Sequence, residues 1–246
     1  MQRILIVGAT SLIAEHCARL WNQQPGDFIL VGRDADKLER IALDLRARNP
    51  ASRAETRTVD FTDPAAIEAL VERCAQAGPI DLALIAHGLL PDQAVCQTDL
   101  KAVDTAIAIN ATSPVLFAEA LVRQMTARAH GTLGIIGSVA GDRGRRSNYV
   151  YGAAKALVDR YAQGLQHRLA GTPVRVVRIK PGPTRTPMTA ELGMPAKRLA
   201  DPALVARDIV RGMAAGKAVV YTPWPWRWIM LIIRHIPAFV FARINL

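Results

Sequence analysis

Cysteine is scarce. The chain holds 3 in 246 residues, Cys17, Cys74 and Cys96, an odd number with no CxxC pair and no Cys/His spacing suited to zinc. That excludes a disulfide-stapled scaffold and leaves no metal to expect, so the three read as reduced core or surface thiols. The opening Met1-Gln-Arg-Ile-Leu-Ile-Val-Gly8 has the look of a strand entering a glycine turn. It lacks the apolar run and small-residue cleavage site of a secretory signal, and the expected location is the cytoplasm or the cytoplasmic membrane face. Repeats, low-complexity tracts and interdomain linkers are missing too. Half the residues are apolar, which excludes disorder and leaves one globular domain as the expected unit. Carboxylates run short in the second half: residues 124–246 carry 19 Lys/Arg against 5 Asp/Glu, whereas residues 1–123 carry 12 against 16. The basic half would face something anionic, and sign alone does not choose among nucleic acid, phospholipid and a phosphorylated substrate. With no helix-turn-helix and no aromatic stacking platform, nucleic acid is not an expected partner.

What is present is an alternation. Strand-length apolar runs near 3–7, 28–31, 55–59, 82–86, 132–136, 175–179 and 218–221 are separated by helix-length amphipathic segments, the pattern of parallel βαβ units. Helices are expected after Asp34, at Asp63-Pro64, near Asp99, near Asn110, from about Tyr149 and at Asp201-Pro202, several with an Asp cap and a proline in the first turn. The predicted fold class is α/β: a single doubly wound Rossmann domain over 1–222, with a seven-stranded parallel sheet and helices on both faces. An apolar C-terminal tail over 223–246 follows. Ligands of such sheets bind outside the carboxyl ends of the strands, where every motif below falls.

Val7-Gly8-Ala9-Thr10-Ser11-Leu12-Ile13-Ala14 reads as strand end, tight turn and helix start, where free N–H groups and the helix dipole favour a pyrophosphate. An ordinary βα turn has the same look. At the end of the second strand, Arg33 can pair with a 2′-phosphate, which favours NADP(H) as cofactor and leaves NAD(H) open; the alternative is a solvated loop arginine beside an Asp34 cap. Asp60 ends the third strand, placed to accept an adenine amino group, with Phe61 next to it in the candidate set. Ala86-His87-Gly88 ends the fourth, where Gly88 would let backbone approach the cofactor ribose.

Ser138 ends the fifth strand, and Tyr151-Gly-Ala-Ala-Lys155 lies on a predicted helix. Tyr and Lys at i and i+4 share a helix face, so the expectation is an ammonium beside a phenol, lowering its pKa towards working range. Tyr151 would then protonate a developing alkoxide, Ser138 would hold the same oxygen, Lys155 would bond the nicotinamide ribose, and Asn110, opening a helix, would hold a water that relays protons to Lys155. These residues resemble the short-chain dehydrogenase/reductase family over essentially the first 220 positions. Gly8, Asp60, Gly88, Asn110, Ser138, Tyr151, Lys155 and Pro181-Gly182 with Thr184 and Thr186 stand in that family's order. The resemblance implies a catalytic tetrad of Asn110, Ser138, Tyr151 and Lys155, a nicotinamide-side loop from Pro181 to Thr186, and an NAD(P)-dependent carbonyl/alcohol oxidoreductase. Two departures are Leu12 and Ala14, where the family usually has glycine in its first turn, and Ala86-His87-Gly88, where it has Asn-Ala-Gly. His87 is expected as a packed or hydrogen-bonded substitute.

Residues 183–200 carry Met188, Met194, Arg185, Lys197 and Arg198 and read as a substrate lid. Beyond the last strand the tail holds three of the chain's four tryptophans, Trp224, Trp226 and Trp228, with Arg227, Arg234 and Arg243 and no acidic side chain. Its apolar run 228–233 is far short of the roughly twenty residues that span a bilayer. Trp and Arg among aliphatic residues suit the membrane interface, so the tail is expected to lie on a membrane, with contact to a sister subunit as the alternative. The ending also resembles that of the decaprenylphosphoryl-keto-ribose reductases, which implies a hydrophobic or lipid-linked carbonyl substrate such as a polyprenyl-phosphate keto-sugar. A soluble carbonyl substrate acted on by a homo-oligomer, dimer or tetramer, is the runner-up, and a non-catalytic dinucleotide sensor is a third reading.

Overall fold

A computed structural model of the protein describes residues 1–193 and 195–244. Seven strands, β1 (Gln2–Val7), β2 (Gly26–Gly32), β3 (Arg53–Thr58), β4 (Leu82–Ile85), β5 (Thr132–Ile136), β6 (Arg175–Pro181) and β7 (Val219–Thr222), form one parallel sheet in the order β3-β2-β1-β4-β5-β6-β7. The inner strands are buried along their length because helices cover both faces, which is why they read as continuous apolar runs. Edge strand β3, Arg-Ala-Glu-Thr-Arg-Thr, is polar and half exposed. One core lies on each face, centred on Phe117 and Leu121 on one side and on Phe28 and Ile209 on the other. Strands are added outward in one direction from β1 to β3 and in the other from β4 to β7, and the crevice between β1 and β4 opens at the carboxyl edge, with Val7 in register with both Val31 and Ile85. Cys17, Cys74 and Cys96 are free and buried.

Aspartates start the helices. The side chains of Asp34, Asp63 and Asp201 each accept from first-turn N–H groups at the heads of α2 (Ala35–Arg48), α3 (Pro64–Gln76) and α8 (Pro202–Ala214). α1 (Leu12–Trp21) and the short α4 (Gln93–Thr98) complete that half.

One expectation needs correction. Asn110 does not open a helix: α5 (Leu100–Ile107), a π turn (Ala108–Thr112) and α6 (Ser113–Ala127) run on as one rod. Pro114 has no N–H to give the Asn110 carbonyl, so the ladder takes a residue of slack and Ser113 N bonds Ala108 O instead. The rod, Leu100–Ala127, is long and apolar enough to cross a bilayer, yet it is mostly buried within the domain and serves as a core helix.

After β7 a turn leads into α9 (Trp226–His235) and α10 (Ala238–Phe241), separated by Pro237. Of the tail residues described, Trp226, Met230, Ile233 and Ile236 point inward at helical spacing, while Trp224, Trp228, Ile229, Leu231, Ile232, Phe239 and Val240 are exposed.

Candidate active site

Two glycines lock the catalytic parts together. Ser138 leads from β5 into a 3₁₀ turn (Val139–Asp142), and Tyr151 and Lys155 lie in α7 (Tyr149–Arg168). A Cβ on Gly141 would come within 2.8 Å of Ala156 N, and one on Gly152 within 3.0 Å of Ala140 O. Turn and helix therefore meet backbone to backbone. In that frame Ser138 Oγ accepts from Ala140 N at 3.1 Å and acts on the neighbouring Tyr151 phenol, tempering the rise in its pKa.

Lys155 reaches past the Tyr151 ring to the sheet edge. Its Nζ donates to Ile136 O at 3.1 Å and lies 5.8 Å from the centroid of the Tyr151 ring. Burial, partly offset by Ser138, pushes the Tyr151 pKa up to about 12, so the net shift is upward where a lowering is expected. Burial lowers Lys155 to about 8. Residues i and i+4 share a helix face, and along that face this lysine runs back towards the sheet edge. There it meets the β4 end. A Cβ on Gly88 would be 2.8 Å from Asn110 Oδ1, so glycine is what lets that oxygen approach; Lys155 Nζ, 3.5 Å from the same point, lies at ordinary contact distance. The Asn110 amide is committed to backbone, accepting from Leu89 N at 2.9 Å and donating to Ala106 O at 3.0 Å.

At the head of α1, Gly8 has φ +77°, and a Cβ there would be 2.5 Å from His87 N. Only glycine permits both that conformation and that approach. Ser11 occupies the N-cap position but makes no capping bond, so the first-turn N–H groups behind it face outward without a side-chain partner. Thr10 is exposed, Ser11 and Leu12 are half-buried, and Ile13 turns into the core. This cradle fits an anionic pyrophosphate. Arg33 is exposed, forms no ion pair among the described residues and sits over the Phe61 ring at 5.9 Å. Its neighbour Asp34 is occupied by capping α2 and pairing with Lys37 at 2.9 Å. Asp60, exposed, accepts from Thr62 Oγ1 and N, which hold its carboxyl below the usual range.

His87, adjoining Ala86, is buried between Phe61 and Phe117, with its Nε2 2.9 Å from Ser113 Oγ and its Nδ1 unpartnered. Burial, reinforced by the Lys155 and Arg33 charges, drops its pKa to about 3, so the ring is neutral at pH 7.

Across the crevice, Thr184 Oγ1 donates to Gly182 O at 2.9 Å, and Thr186 N donates to Thr189 Oγ1 at 3.1 Å within a 3₁₀ turn (Pro187–Leu192). The segment expected as a lid is tied down by a bridge between Thr184 and Ala200. Met194 lies outside the described residues. Sequence reasoning missed one cluster here. Lys180, just before Pro181, is buried and paired with Asp142 and, at 3.0 Å, with Asp159, while Tyr221 donates to Asp142 at 2.9 Å. A lysine and an arginine inside the apolar strand Arg-Val-Val-Arg-Ile-Lys-Pro were the available signal, since buried charges demand partners. Among the described residues no cluster suits a metal ion.

Comparison with known proteins agrees with this geometry. Residues 2–196 match the family model described as short chain dehydrogenase. An uncharacterised oxidoreductase of Mycobacterium tuberculosis is 36% identical over 241 residues, 98% of this chain and 96% of that protein. Another from Streptomyces coelicolor is 34% identical over 98% of this chain and 95% of its own. Among solved structures, a short-chain dehydrogenase from Sphingobium yanoikuyae in complex with NADPH superposes with TM-score 0.84, covering 100% of this chain and 97% of that one at 24% identity. The chain belongs to the short-chain dehydrogenase/reductase family.

Proposed function

We propose that this protein moves hydride between NADP(H) and the carbonyl or alcohol carbon of a hydrophobic substrate, working at a membrane surface. Family membership makes it an NAD(P)-dependent oxidoreductase of such groups; the observation that carries the chemistry is the glycine-docked frame that holds the Ser138 turn against the helix of Tyr151 and Lys155. A bound dihydronicotinamide would supply the hydride. Tyr151, protonated at neutral pH because burial raises its pKa, gives its proton to the carbonyl oxygen as negative charge develops there. Ser138 Oγ holds that oxygen. Lys155, facing Gly88 and Ile136 O, would bond the ribose on the nicotinamide side, with residues 181–186 against the nicotinamide.

The cofactor assignment rests on the uncommitted Arg33. Arg33→Ala should weaken NADPH by roughly 10- to 100-fold, the loss of a charge-assisted hydrogen-bond pair, while NADH affinity changes less than twofold. Equal losses in calorimetric titrations would refute the NADP(H) preference.

The substrate class rests on α9, whose outer face sets Trp228, Ile229, Leu231 and Ile232 beside Arg227 and Arg234. Such a face suits an anionic bilayer, and a lipid-linked carbonyl such as a polyprenyl-phosphate keto-sugar would reach the site there. Sedimentation with vesicles of anionic phospholipid should carry down the full chain but not a chain lacking residues 224–246. Failure of the full chain to bind, together with a tail-dependent dimer or tetramer, would move the proposal to a soluble carbonyl substrate and make this face a contact between copies.

A further inference from the structure

The tail is also fastened to the catalytic loops. β7 ends beside β6, with Pro181 in register with Thr222, and Gly182 N donates to Thr222 O at 2.9 Å. The chain then turns at once through Pro223-Trp224-Pro225, closed by Trp226 N donating to Pro223 O at 3.1 Å, which brings the half-buried Trp226 indole back over Gly182. The approach is so close that a Cβ on Gly182 would collide with Trp226 Nε1, Cε2 and Cδ1. Further along α9, Met230 is fully buried, its Sδ taking a contact from Arg145 Nη2 at 3.5 Å. Arg143 Nη1 donates to the carbonyls of Ile233, Arg234 and Ile236 at 2.7–3.0 Å and its guanidinium lies over Phe241. Both arginines belong to the stretch between Ser138 and Tyr151. The helix thus bridges that stretch and the 181–186 loop.

We propose that Trp226, carried by the tail, is a positioning residue for the nicotinamide end of the cofactor site, holding the turn at Gly182 in its place. The inference rests on residues 181–186 being the nicotinamide-side loop of an NADP(H) site. Gly182 is selected from both sides: a larger residue would displace the indole, and loss of the indole would leave the turn without its cover on that side. The outer face of α9 and the cofactor loop are then two sides of one helix, so whatever docks on the tail sits one side chain away from the site.

Two ligands separate this role from a general structural one. NADPH has a nicotinamide half; adenosine 2′,5′-bisphosphate has only the adenosine half, bound near Arg33 on the other side of the crevice. Trp226→Ala should weaken NADPH by about tenfold and leave adenosine 2′,5′-bisphosphate within about twofold. Gly182→Ala should do the same. Combining the two should be no worse than the weaker-binding single variant, because removing the indole makes room for the new methyl group. Should Trp226→Ala fold poorly, Trp226→Phe gives the second readout: energy transfer from tryptophan to bound NADPH should fall sharply although Trp224 and Trp228 remain. Equal loss of both ligands, unchanged NADPH affinity, or full additivity of the two substitutions would overturn the proposal. Wild-type protein that binds neither ligand would instead remove the NADP(H) reading on which it stands.

Discussion

Tyr151→Phe is expected to lower turnover by about 10³-fold, within the range that general acid catalysis supplies, while NADPH affinity stays within about twofold. The substitution deletes one oxygen and leaves the ring in its place on α7. Steady-state rates with a carbonyl compound that the wild type reduces, beside NADPH titrations, check both halves. A variant keeping near-wild-type rate would show that another group delivers the proton. The pH profile sharpens the test. With Tyr151 raised to about 12, the phenol stays protonated through the ordinary assay range, so it does not limit reduction on the alkaline side. Lys155, at about 8, does change charge there, and reduction should decline as pH rises through that value. Oxidation needs the phenolate and should instead accelerate with pH over its early alkaline limb.

The sheet was legible because parallel inner strands are buried on both faces and therefore read as unbroken apolar runs. β1, β4 and β5 stand where those runs stand. Helix starts were legible where chemistry is local, as with Asp34, Asp63 and Asp201 in reach of their own first-turn N–H groups. The Tyr151/Lys155 spacing put both residues on one helix face but could not say which way a four-carbon side chain runs. It runs to Ile136 O, nineteen residues away in sequence. What stayed hidden depends on which strands become neighbours. Pairing β6 with β7 puts the tail over Gly182 and Tyr221 next to Asp142, and no periodicity in the chain encodes that. The π turn at Asn110 is intermediate: Pro114 announces that a backbone bond is missing, but a helix start and a mid-helix defect carry the same signal until the flanking helices are seen to be continuous.

Lys155→Met should make the folded protein more stable while ending turnover. Lys155 is only 3% exposed, and its described hydrogen bond is the one to Ile136 O. Burial pulls its pKa from an ordinary 10.5 down to about 8. Between those values the unfolded chain binds more protons than the folded one, so stability from this group rises with pH across that window, and below it the cost of the buried charge is borne in full. That cost is on the order of 3 kcal/mol. Methionine fills a similar volume without a charge. Its penalty is the Ile136 carbonyl left unpaired, about 1 kcal/mol, so the net gain near pH 7 is about 2 kcal/mol, or roughly 4–8 °C in Tm. The gain should shrink when the same melts are run near pH 10, where the wild-type lysine is already largely neutral when folded. A Tm that falls at pH 7 would mean that the ammonium is held by more than the Ile136 carbonyl. A gain instead makes Lys155 a residue kept at the expense of stability, which is what a group retained for binding a ribose and moving protons should look like.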